Sequence, residues 1–292
     1  MSAFTLFAPH TVEEACELLG RHDGDARLIA GGTALVLMLR QGLVAPAAVV
    51  RLDRMSSLDT ISIDDGMLQL GATATLRSVS ESAVVQDRMP VLAEACRLVG
   101  NVRVRNAATI GGNVCEADYA SDPPGVLVAL DARVRAQSRT GSREIAVADL
   151  IRDFYETGLA PDEIVTELRV PIPPAGTRAV YLKYLTRSSE DRPCVGTTVV
   201  VRLDQEGRLA DVRVAVGGIA GRPLRLPDVE RQALGEQPNE DLLRSMGDAY
   251  AAAADPVDDV RGSAHYRKRM VAVFVRRALR EAIDGRSGAR KC

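Results

Sequence analysis

The chain has 292 residues, 46% of them hydrophobic and 26% charged, enough apolar material for one large domain or two ordinary ones. A formal net charge of −2, with 3% aromatic residues and no tryptophan, excludes a surface devoted to nucleic acid or to an anionic membrane. The five cysteines contain no Cys-x-x-Cys pair and the three histidines are scattered, so the pattern fits the reduced thiols of a cytoplasmic protein better than a metal or iron–sulfur site.

Taken in order, Thr11-Val12-Glu13-Glu14 reads as a capping box opening a helix, with Val12, Ala15, Leu18 and Leu19 on its apolar side and Gly20 as its stop. Residues 26–30 read as a short buried strand, Gly31-Gly32 as a turn, and Thr33 as the cap of a second helix that carries Leu35, Val36 and Leu39 and ends at Gly42. Residues 49–52 form a second strand and complete an α/β unit of about 55 residues. Residues 61–63 and 67–70 form a hairpin across Asp64-Asp65-Gly66. A helix starts at Pro90, carries Leu92, Ala95, Cys96 and Val99, and stops at Gly100. A second glycine pair, Gly111-Gly112, precedes a helix that starts at Pro123 or Pro124 and carries Val126, Leu127 and Leu130. A further hairpin over 133–138 and 144–147 and a strand over 163–170 lead to the proline-rich linker 171–176. Three strands (179–185, 195–203, 212–216) and two helices (241–253, 266–283) then predict an α+β layer domain. No apolar run approaches the roughly 20 residues of a membrane span, and residues 1–9 lack the pattern of a secretory signal.

The chemistry concentrates at the glycine pairs. Ala30-Gly31-Gly32-Thr33 and Thr109-Ile110-Gly111-Gly112-Asn113 each follow an apolar stretch, and glycine admits the backbone angles at which successive N–H groups converge on an anion. Two such turns point to two linked phosphates, as in a flavin dinucleotide. The Gly-x-Gly-x-x-Gly and Walker patterns are absent, so the amides would come from separate turns, with Thr33, Thr109 and Asn113 as neutral donors. Glycine pairs also make plain turns, the reading that suits Gly217-Gly218, and both readings stay open on the residues alone. Asp122 before Pro123 has the form of an N-cap whose carboxylate is free to accept from cofactor hydroxyls. Lys183, on a strand, faces either solvent or an electron-rich ring. Arg103 and Arg105 either neutralise phosphate or are ordinary exposed arginines.

Several stretches in order resemble the FAD-binding medium subunit of molybdenum hydroxylases, the group of aerobic carbon monoxide dehydrogenase and the flavin domain of xanthine dehydrogenase. They are Leu28-Ile29-Ala30-Gly31-Gly32-Thr33-Ala34-Leu35, Arg105-Asn106-Ala107-Ala108-Thr109-Ile110-Gly111-Gly112-Asn113, Ser121-Asp122-Pro123-Pro124, Leu159-Ala160-Pro161-Asp162-Glu163-Ile164, Tyr181-Leu182-Lys183 and Val275-Arg276-Arg277-Ala278-Leu279. Tyr119 and Pro123 depart from the family's usual residues, and 188–193 aligns poorly, so the group that covers one flavin face in relatives is not assigned.

The resemblance implies an α+β chain: a two-lobed FAD-binding domain of the vanillyl-alcohol-oxidase type over 1–176 (small lobe 1–55, larger lobe 56–176), a C-terminal α+β domain with a three-stranded antiparallel sheet over 177–287, and a tail at 288–292. It places residues 28–35 and 109–113 around the FAD diphosphate and Val99 and Gly100 near the flavin. Asp122 would meet a cofactor hydroxyl, and Leu159 and Lys183 the isoalloxazine. No catalytic residue and no protein-held metal is expected. The implied partners are a small subunit with [2Fe–2S] clusters and a large subunit with the molybdenum cofactor, in a dimer of heterotrimers. Electrons would pass through FAD to a quinone or oxygen, with NAD a further candidate, in a carbon-monoxide-dehydrogenase-like complex. The alternative is a self-contained FAD-dependent oxidoreductase of the same fold.

Overall fold

A computed structural model describes residues 4–285, so the expected tail at 288–292 lies outside the described residues. The chain opens with β1 (Thr5–Phe7), α1 (Val12–Arg21), β2 (Ala26–Ile29), α2 (Leu35–Gln41) and β3 (Ala48–Arg51). The strands form a parallel sheet in the order β1-β3-β2. The Thr11 hydroxyl accepts from the Glu14 N–H at 3.2 Å, and the Glu14 carboxylate reaches back to the His10 N–H at 2.8 Å, so the capping box forms one residue longer than usual. Gly20 lies inside α1; the chain leaves that helix at Asp23 and Gly24, with φ of 42° and 84°. Thr33 does not cap α2. Ala34 holds that position, in helical conformation and with no side-chain bond, while Gly42 closes the helix at φ 70° as expected.

Next come β4 (Ile61–Asp64), β5 (Met67–Gly71), α3 (Leu76–Glu81), α4 (Ala83–Arg88), α5 (Pro90–Arg97), α6 (Val102–Ala107), α7 (Ile110–Glu116) and α8 (Asp122–Ala129). They are followed by β6 (Arg133–Ser138), β7 (Gly141–Ala146), α9 (Val147–Leu150), β8 (Ile151–Asp153), β9 (Glu156–Thr157) and β10 (Ile164–Pro171). The main sheet is antiparallel, β4-β5-β10-β6-β7, with β10 at its centre. Pro171 pairs with Met67 and so belongs to the strand, not to the linker.

Two local expectations change here. The second glycine pair is not a turn between elements: Gly111 and Gly112 lie in the first turn of α7, capped by Thr109. Asp122 is not the N-cap of α8 either. Ser121 occupies that position, and Asp122 is the first helical residue, ahead of two prolines that need no N–H partner there. All eight residues of α8 are buried, because the helix is wedged between α5 and the C-terminal sheet. A helix apolar on every side suits that position and no surface one.

The C-terminal part comprises β11 (Arg178–Tyr184), β12 (Val195–Leu203), β13 (Leu209–Gly217), β14 (Leu224–Arg225), α10 (Pro227–Ala233), α11 (Glu240–Ala253) and α12 (Ala264–Asp284). Its antiparallel sheet runs β11-β12-β13-β14, four strands where three were expected. The added strand is two residues long and follows Pro223, which leaves no alternation to read. One face of this sheet packs on α11 and α12 through Val199, Val214, Leu243, Tyr250, Val275 and Leu279. The other face meets α8, so Tyr181, Val200 and Ala215 share a core with Leu127 and Leu168. Among the described residues no helix is long and apolar enough to cross a membrane.

Candidate functional site

A cleft of about 410 Å³ runs between the β2–α2 loop on one side and α7, the start of α8 and the 190–192 loop on the other. It brings together Leu28, Ile29, Ala30, Gly31, Gly32, Thr33, Ala34, Leu35, Val99, Gly100, Thr109, Gly112, Asn113 and Asp122. Gly111, Leu159 and Lys183 are not on its wall. Gly111 faces Ala72, where an added Cβ would come within 2.6 Å of the Ala72 Cβ. Leu159 packs partly buried against the main core, and Lys183 stands behind Asp122.

The first glycine pair leaves a run of free amides on the cleft wall. The backbone N–H groups of Gly31, Gly32, Thr33 and Ala34 find no acceptor among the described residues. Gly32 has φ 70°, and Gly31 lies so close to α6 that a Cβ would stand 1.7 Å from the Ala107 carbonyl oxygen. Only glycine allows both the turn and the approach.

The second pair works differently. The N–H groups of Ile110 and Gly111 donate to the Ala74 and Ala72 carbonyls at 2.9 and 3.0 Å, and that of Gly112 to the Thr109 hydroxyl at 3.1 Å. These amides are committed inside the protein, so the expected second nest is absent. Gly112 contributes room instead, since a Cβ there would meet only Thr109 Oγ1, at 2.8 Å. The Asn113 carboxamide lies within 2.8 Å and 3.0 Å of the Ser121 hydroxyl, which keeps both polar groups on the cleft wall.

Asp122 is 4% exposed and neither of its oxygens is without a partner. Oδ1 accepts from the Tyr181 hydroxyl at 2.5 Å and Oδ2 from the Lys183 ammonium at 2.9 Å; Lys183 also donates to the Leu98 carbonyl at 2.8 Å. Burial pushes the Asp122 carboxyl up to about 6, against the opposing pull of Lys183 and of the Tyr181 hydrogen bond. The carboxylate expected to accept from cofactor hydroxyls is anchored by Tyr181 and Lys183 at the cleft wall. Lys183 faces neither open solvent nor the cleft. Tyr181 was missed, although the alternation of β11 puts it on the same face as Lys183.

Sequence reasoning also missed the acidic rim. Glu116, Asp118, Glu190, Asp191 and Arg192 line the cleft. Burial, then Asp118, raises the Glu116 carboxyl above its usual range. Arg192 pairs with Asp118 at 2.5 Å, and Glu190 accepts from the Asn101 carboxamide at 3.1 Å, so the 190–192 loop is tied across the opening at both ends. A polar run between two strands carries no signal that separates it from an ordinary solvated loop. Arg105, a candidate phosphate partner, donates to the carbonyls of Val99 and Gly100 at 3.0 and 2.9 Å, while Arg103 is exposed.

A run of unpartnered amides beside neutral hydroxyl and carboxamide donors, with apolar Leu28, Leu35 and Val99 at hand, is the donor set that a flavin dinucleotide requires. The residues fit FAD.

Residues 2–173 match the FAD binding domain in molybdopterin dehydrogenase, and residues 180–282 the CO dehydrogenase flavoprotein C-terminal domain. The chain is 32% identical over 282 residues to the nicotine 6-hydroxylase medium subunit of Paenarthrobacter nicotinovorans, covering 97% of this chain and 98% of that one. It is 31% identical over 279 residues to the carbon monoxide dehydrogenase medium chain of Hydrogenophaga pseudoflava, covering 96% of each. A solved carbon monoxide dehydrogenase from Hydrogenophaga pseudoflava, lacking the Mo-pyranopterin moiety, superimposes with a TM-score of 0.92 at 32% identity over 96% of each chain.

Proposed function

The chain belongs to the family of FAD-binding medium subunits of molybdopterin dehydrogenases, and from that premise we propose that it is the relay through which such a complex hands electrons to an external acceptor. It is an oxidoreductase subunit whose cofactor is FAD. The proposed donor is a small subunit carrying [2Fe–2S] clusters, fed by a large subunit with the molybdenum cofactor, in a cytoplasmic dimer of heterotrimers like carbon monoxide dehydrogenase. The proposed acceptor is a quinone or oxygen.

The observation that carries the reading is the nest of free amides at Gly31, Gly32, Thr33 and Ala34 on the wall of one cleft. In this reading those amides and the Thr33 hydroxyl hold the diphosphate, and Gly112 gives it room. Val99, Gly100 and the anchored Asp122 shape the wall beyond. The Lys183 ammonium fixes Asp122 through 2.9 Å and so holds the head of α8 rather than touching the cofactor. Gly111 and Leu159 act from behind the wall, through packing. Bound FAD supplies what the side chains lack, the capacity to accept electrons singly and deliver them in pairs.

The test is the visible spectrum of the gently purified protein. Flavin bands at about one FAD per chain support the reading, and failure to bind added FAD refutes it. Turnover of an organic substrate by the isolated chain would favour a self-contained oxidoreductase instead.

A further inference from the structure

Resting on the reading that this chain works inside a multi-subunit complex, we propose that the open face of its N-terminal sheet seats a partner subunit, which lays there an apolar segment flanked by carboxylates. The sheet β1-β3-β2 is wholly parallel, and sheets of that kind occur with both faces covered. One face is packed: Ala26, Ala48 and Val50 close on Ala15, Cys16 and Leu19 of α1. On the other lies α2, only seven residues long, and beside it an open groove of about 390 Å³. Val49, Ile29, Phe4, Leu6 and Val36 line this groove. Phe4, Leu6 and Val36 remain 37%, 54% and 41% exposed, a contiguous apolar patch of the kind that marks a protein interface. β1 is also an edge strand, paired on one side only.

The rim sets the charge of the occupant. Three charged side chains line the groove: Arg51 and Asp53, paired at 2.5 Å, and Arg40, which is exposed and has no ion pair among the described residues. Arg27 stands on the same face, beside Val49 in the strand register, and donates only to the carbonyls of Gly24 and Ala26. A second copy docked across a two-fold axis would set these unpaired guanidinium groups against their own equivalents. A partner with carboxylates beside its apolar side chains covers the patch and answers both arginines. Ile29 and Ala30 wall both the groove and the FAD cleft, whereas Leu6 and Arg40 line the groove alone. Substitutions at Leu6 and Arg40 therefore address docking without touching the cofactor site.

The experiment purifies the tagged chain from its own cells, where its complex is assembled, and also the chain made alone. Flavin, iron and molybdenum per chain are recorded for both, and amide hydrogen exchange compares them. In the complex, exchange over residues 4–7 and 35–41 should slow at least roughly tenfold. Leu6→Glu and Arg40→Glu should each lower the partner recovered per tagged chain at least roughly tenfold at about 0.15 M salt, and Arg40→Lys should retain it. Leu43→Glu is the control: Leu43 is 68% exposed on the same lobe but lies outside the groove, so its substitution should change nothing. A loss in that control equal to the loss at Leu6 overturns the proposal, as does a chain recovered alone from its own cells. Dimers of the chain made alone, abolished by Leu6→Glu, would make a second copy the occupant. Protection already present in the lone monomer, and lost on removing Ser2 and Ala3, would make the occupant the chain's own start. Either result overturns the proposal. A complex that protects the groove but carries no flavin overturns the functional reading and leaves this inference standing. A flavin-loaded complex whose groove exchanges as fast as in the chain made alone does the reverse.

Discussion

Lys183 Nζ lies 2.9 Å from Asp122 Oδ2, and the two side chains are 3% and 4% exposed. The pair joins a strand of the C-terminal sheet to the first residue of α8, and only its acidic member reaches the cleft. An ion pair removed from water holds together because each charge answers the other; deleting one leaves its partner buried and uncompensated.

Lys183→Met should therefore lower stability by about 3–5 kcal/mol, and Lys183→Met with Asp122→Asn should recover at least half of that. The pH dependence has a definite sign. The Asp122 carboxyl is raised to about 6 in the folded chain from 3.8 unfolded, so its favourable contribution is full below about pH 4 and lost as pH rises through about 6. Without Lys183, which pulls that value down, the loss extends to higher pH. Urea titrations should show the single substitution costing more at pH 8 than at pH 5; a cost independent of pH would mean that Asp122 does not titrate in this range.

Gly31 and Gly42 provide a matched test of the nest. A Cβ on Gly31 would collide with the Ala107 carbonyl oxygen at 1.7 Å, whereas a Cβ on Gly42, at φ 70°, meets nothing within 4 Å. Gly42→Ala should cost about 1–2 kcal/mol of backbone strain and leave FAD binding unchanged. Gly31→Ala forces the β2–α2 loop away from α6 and should weaken FAD at least roughly tenfold, about 1.4 kcal/mol. The readout is flavin absorbance per chain after dialysis. Equal retention in both variants would show that the nest does not hold the diphosphate.

These glycines also mark how far the sequence could be read. Gly31-Gly32 and Gly42 announce backbone that only glycine adopts readily, and β10, β11 and β12 announce themselves by apolar length. The four helices α3, α4, α6 and α7 are six or seven residues long, less than two turns, too short to show a period. Their presence decides the second glycine pair: Gly111 and Gly112 look like a free turn until Ala72 and Ala74 supply carbonyls for the amides of 110 and 111. Such tertiary acceptors leave no local pattern. The same holds for the inward turn of Asp122, which depends on Tyr181 and Lys183 some 60 residues further along.

Asp259 should govern the acid limb of the C-terminal part. Although burial works against its charge, hydrogen bonds from Arg261 and the charge of Arg267 bring its carboxyl down to about 2. Arg267 is fully buried and also donates to the Cys194 and Val257 carbonyls, so Asp259 is a counter-charge on which a buried guanidinium depends. A lowered folded value means stability that is present above about pH 4 and is lost as pH falls towards 2. Asp259→Asn should lower the melting temperature at pH 7 and flatten its fall between pH 4 and pH 2. Tyr119, whose hydroxyl bonds both Asp259 and Arg261, should lose near-ultraviolet dichroism in the same variant. An unchanged acid limb would move the acid sensitivity to other carboxylates. An unchanged dichroism alongside a lost limb would mean that Arg261 holds the tyrosine without its aspartate.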